Sequence, residues 1–73
     1  MNVYDDAKLV MKMRQQGIPL PEMMNAVDEW KAGQYLVQEA FQRSQLSLPE
    51  NQDRAVKEFA EQEYNRCMER SKL

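Results

Sequence analysis

The 73-residue chain has room for one domain, and its 42% hydrophobic and 30% charged residues fit a folded protein rather than a disordered segment. Ten basic and twelve acidic side chains divide as +4 and −5 over residues 1–36 and +6 and −7 over residues 37–73, so there is no basic pole for a phosphate backbone. The absence of histidine, together with a single cysteine, excludes a zinc site and the usual partner of a nucleophile.

The first predicted element opens at Asn2, a helix-capping residue with Asp5 three positions on, and closes at Gly17. Val3, Ala7 and Val10, with Met11 beside them, recur at helical spacing and predict a helix over 3–16. Asp5 and Lys8 on its polar face stand at an ion-pairing interval. Gly17-Ile18-Pro19-Leu20-Pro21 then breaks the chain, because each proline removes a donor and disfavours helix at its predecessor.

Pro21 suits the first turn of a second helix, predicted over 21–32, with Met23, Ala26, Val27 and Trp30 as its apolar stripe. Gly33 is expected to end or bend it before a third helix over 34–44, built on Tyr35, Leu36, Val37, Ala40 and Phe41. One longer helix running through Gly33 is the alternative, at a cost of about 1 kcal/mol relative to alanine. The strongest local signal is Ser47-Leu48-Pro49-Glu50, a capping box with proline in the first turn. From it a helix over 48–70 follows on Ala55, Val56, Phe59, Ala60, Tyr64, Cys67 and Met68, with Glu50–Arg54 and Asp53–Lys57 spaced for ion pairs. The predicted fold is all-α: a small antiparallel helical array of three to four helices in one domain over 1–73, the last helix longest.

Arg14 to Met24 has the outline of a helix-turn-helix, but the second helix offers Glu22, Asn25, Asp28 and Glu29 where a DNA reader needs basic or amide side chains. An ordinary helical corner is the preferred reading, and a nucleic-acid-binding regulator the first alternative. Six methionines serve either as core filling or as a partner surface. Met24 and Trp30, with Tyr35, are the candidate partner-binding residues, set against the simpler reading that Met24 and Trp30 are core. Cys67 is a small hydrophobe on the last helix or, in an oxidising compartment, a redox residue forming an intermolecular disulfide. The twelve acids read as solvated ion-pairing groups, leaving a small hydrolase as the second alternative.

Several segments together resemble a loose group of small helical proteins of bacteria and phages, usually made with a signal peptide and with no assigned activity. The resemblance rests on Val10-Met11, Arg14-Gln15-x-Gly17-Ile18, Met23-Met24, Ala40-Phe41, and Pro49-Glu50-x-Gln52-x-Arg54-Ala55-Val56-x-x-Phe59 followed by Tyr64-x-x-Cys67. It implies a helical fold in a bacterial or phage setting. Proteins of this look usually carry a second cysteine near the mature N-terminus that would staple the first helix to the last, and this chain departs from them with Tyr4 in that neighbourhood.

The sequence thus reads as a non-enzymatic protein-interaction domain, an inhibitor or accessory factor that binds a protein partner or associates with itself. No catalytic, cofactor, metal or small-molecule constellation is evident. No window approaches the ~20 apolar residues of a membrane helix, and the N-terminus lacks a basic segment followed by an apolar signal core. As written the chain reads as cytoplasmic, or as exported if it is a mature form.

Overall fold

A computed structural model describes residues 2–71 and shows an all-helical array. The helices are α1 (Val3–Gln15), α2 (Leu20–Ala26), α3 (Lys31–Ala40) and α4 (Pro49–Ser71), with no strand among the described residues. The last helix, at 23 residues, is the longest. At 1.5 Å per residue it is about 35 Å long, which nearly matches the 38 Å long dimension of the molecule.

α1 begins and ends as its sequence dictates. The Asn2 side chain accepts a hydrogen bond from the Asp5 amide at 2.8 Å, satisfying a donor that the first turn leaves open. At the other end Gly17 has φ 83°, a left-handed conformation that costs glycine little. The turn lets the Gly17 and Ile18 amides donate to the Arg14 and Met13 carbonyls, the paired bonds of a Schellman ending. Met13 and Ile18 both pack against the core beside that turn.

The middle of the chain corrects the sequence reading. α2 stops at Ala26, and residues 27–30 form a turn; Gly33 neither ends nor bends a helix but lies buried inside α3. Two interactions explain the earlier break. The Gln34 side-chain amide reaches back to donate to the Val27 and Asp28 carbonyls at 3.3 and 2.5 Å, capping the end of α2. Trp30, extended at φ −104° and ψ 95°, sits at the N-cap of α3 and folds its indole over Gly33. A Cβ on residue 33 would overlap that ring, so glycine is required here for close approach.

The α3–α4 connection is tied to the end of α1. Gln15, only 3% exposed, donates to the Ser44 carbonyl at 3.0 Å and accepts from the Leu46 amide at 2.7 Å. Arg14 adds two bonds to the Arg43 carbonyl and stacks on Phe41, 4.5 Å from the ring centroid. The corner at Ser47 forms differently from the expected capping box. The Leu48 carbonyl accepts from the Asn51 and Gln52 amides, and the Gln52 side chain donates to the Leu46 carbonyl at 2.7 Å.

These ties set the direction of packing. The end of α1 lies beside the start of α4, so α1 and α4 run antiparallel and make the most extensive helix pairing among the described residues. α3 is also antiparallel to α4: Arg43 stands over Phe59 and donates to Gln62, while Glu39 meets Arg66 further along. The core gathers Ala7, Val10 and Met11 from α1, Met23 from α2, Leu36, Val37 and Ala40 from α3, and Val56, Phe59 and Ala60 from α4, with Val27 closing it from the turn. Burying each larger apolar side chain contributes about 1.5–3 kcal/mol. Along α4 the buried stripe continues to Glu63 rather than to Tyr64 or Met68, which are 43% and 44% exposed.

Candidate functional site

α3 and α4 approach one another mainly through long side chains, and this spacing leaves a groove between them. It is lined by Ala32, Tyr35 and Leu36 of α3 and Glu63, Arg66, Cys67 and Arg70 of α4, with Val3 of α1 at one end. Its volume is about 230 Å³, below the ~300–1,000 Å³ typical of small-molecule sites. The groove is sized for a protruding side chain.

A charged cluster braces the polar wall. Arg66 Nη1 donates to the Tyr35 hydroxyl at 3.1 Å, to Glu39 Oε1 at 2.5 Å and to Glu63 Oε2 at 3.2 Å. Glu63 is 2% exposed, and the nearby guanidinium supplies the opposite charge that a buried carboxylate needs. The same contacts hold the Arg66 pKa above its ordinary value, through the hydrogen bond to Glu39 first, then that to Tyr35, then the charge of Glu63. Arg70 places its guanidinium 5.3 Å from the Tyr35 ring centroid, so Tyr35 is held at its hydroxyl by one arginine and at its ring by the next.

Of the residues singled out from the sequence, Tyr35 and Cys67 come together in this groove, Cys67 as an exposed residue on the α4 wall. Met24 and Trp30 do not line it. Met24 is half-buried against the core, and Trp30 is 38% exposed beside Gly33. Because α2 ends at Ala26, these two no longer share a helix, and the expected stripe keeps only Met23 and Val27 buried. Asp28 and Glu29 likewise fall in the turn, and the second helix of the helix-turn-helix outline is a seven-residue segment.

The sequence reading missed Glu39, Glu63, Arg66 and Arg70. A signal was present: Val56, Phe59, Ala60 and Glu63 stand at i, i+3, i+4 and i+7, which places the acid on the apolar stripe. Arg66 follows one turn later, able to neutralise it. The ion pairs expected within helices at Asp5–Lys8, Glu50–Arg54 and Asp53–Lys57 do not close; among the described residues the ion pairs are those of Arg66 with Glu39 and Glu63. No three Cys, Asp or Glu side chains among the described residues gather as a metal-holding group, and no described helix is long and apolar enough to cross a membrane.

Compared with protein-family models, curated proteins and solved structures, the chain gives no match.

Proposed function

We propose that this chain is a non-enzymatic protein-interaction domain, an inhibitor or accessory factor of a bacterial or phage setting, that receives an apolar side chain of its partner in the α3–α4 groove. The observation that carries this reading is the groove itself: a cleft with apolar walls at Val3, Ala32 and Leu36, and a polar wall already fixed by the Tyr35–Arg66–Glu39–Glu63 contacts. A wall held in place before binding loses little conformational entropy on association. An aromatic residue flanked by arginines is also the composition that interface centres favour.

The test is to fill the groove without disturbing the core. Ala32 is exposed and lines the groove, so Ala32→Trp places a bulky ring in the partner's position. The variant keeps its helical circular dichroism and loses partner binding. A variant that folds and still binds the same partner with unchanged affinity overturns the reading.

A further inference from the structure

A second surface differs from the groove in both chemistry and place. Lys8 and Lys12 of α1 and Lys57 of α4 line one cleft of about 250 Å³ together with Tyr4, Val56 and Asp53. None of the three lysines is in an ion pair among the described residues, and Asp53 is the one acid in the lining. The Lys8 ammonium lies 5.6 Å from the Tyr4 ring centroid rather than beside Asp5. Lys8 and Lys12 are like charges one helical turn apart, an unfavourable arrangement within the helix, and Lys57 faces them from α4.

Several of the arginines are engaged internally, whereas Lys31 and Arg54, like the three lysines, stand outside any ion pair among the described residues. Arg14 bonds the Arg43 carbonyl, Arg43 bonds the Glu39 carbonyl and Gln62, and Arg66 pairs with two acids. In a chain of net charge −2, the α1–α4 cleft sets three lysines against one acid, with none of the three in an ion pair among the described residues.

We infer that the α1–α4 cleft docks an acidic helical segment of a partner protein, an inference that rests on the interaction reading but not on the α3–α4 groove. Lys8 and Lys12 are separated by four residues, a rise of about 6 Å along α1, which is also the separation of two carboxylates at i and i+4 on a partner helix. Lys57 supplies the third contact from across the seam, and Tyr4 and Val56 give the cleft an apolar wall. A nucleic acid fits less well, because its affinity grows with the number of phosphates neutralised and this cleft offers three lysines interrupted by Asp53, whereas a carboxylate pair one helical turn apart needs only Lys8 and Lys12.

The test is an amide NMR titration of the full chain with a synthetic helical peptide bearing glutamates at i, i+4 spacing, using its glutamine counterpart, inorganic phosphate and a short single-stranded DNA as controls. The glutamate peptide shifts amides around Lys8, Lys12 and Lys57, and raising the salt weakens its binding about tenfold as the exposed charges are screened. The K8Q/K12Q/K57Q variant loses this binding, and K57Q alone, at an exposed position, weakens it with the fold intact. Absence of localised shifts, equal binding of the glutamine peptide, or tighter binding of phosphate or DNA overturns the inference. Ala32→Trp separates the two surfaces, since it leaves peptide binding unchanged and removes only groove-dependent partner binding.

Discussion

The Trp30 indole lies across the first turn of α3 at the position where Gly33 has no side chain, so a ring from the preceding turn covers the helix backbone. Gly33→Ala gains about 1 kcal/mol of helix propensity and drives the ring off its seat. Trp30 is the sole tryptophan of the chain, so its emission reports on this seat alone. We expect a red shift in fluorescence with helical content retained; unchanged emission would show that the indole does not depend on the missing Cβ.

Gln15 joins the end of α1 to the segment that leads into α4, acting as donor to Ser44 and acceptor from Leu46. Gln15→Leu keeps an apolar body in the same space and leaves both backbone groups without their partner, at a cost of about 2 kcal/mol. For a domain of this size that lowers the melting temperature by about 10 °C. Thermal circular dichroism checks it, and a melt within 2–3 °C of the parent, a loss of only about 0.5 kcal/mol, would remove Gln15 as the tie.

Glu63 and Arg66 are asymmetric partners, the acid buried and the arginine half-exposed. Removing Arg66 leaves a buried carboxylate without its counter-charge, whereas replacing Glu63 by leucine exchanges a buried charge for apolar packing against Phe59 and Ala60 one turn away. Arg66→Ala is therefore expected to melt below the parent and Glu63→Leu at or above it. The reverse order in denaturant or thermal melts would show that the acid, not the pairing, stabilises the helix.

Much of this architecture is legible in the sequence, and the exceptions share a cause. Asn2, Gly17 and the prolines fix the ends of α1 and the start of α2 through backbone chemistry confined to a few residues. The break at 27–30 depends instead on Gln34 reaching back to the Val27 and Asp28 carbonyls and on Trp30 using the space over Gly33. Both are side-chain contacts that helical periodicity does not encode. The groove was half visible: Tyr35 and Cys67 stood out by residue type, but only folding brings Glu39 of α3 onto Arg66 of α4. The Lys8–Lys12–Lys57 cleft was hidden by the assumption that spacing closes ion pairs, when each partner is also free to turn toward solvent or a ring.

Cys67 is exposed on the groove wall, so iodoacetamide should alkylate it without denaturant. The adduct occupies the groove from its exposed wall, so the far-ultraviolet circular dichroism stays intact while partner binding falls. Mass spectrometry of the intact chain reads the modification, and full partner binding by a fully alkylated chain would argue against a role for this wall.

The most direct measurement of the central claim is quantitative affinity capture from the native host with the parent chain and Ala32→Trp side by side, each confirmed as folded. A specific protein is expected with the parent and is lost from the groove-filled variant. Recovery of the same proteins in the same amounts by both chains would contradict that claim.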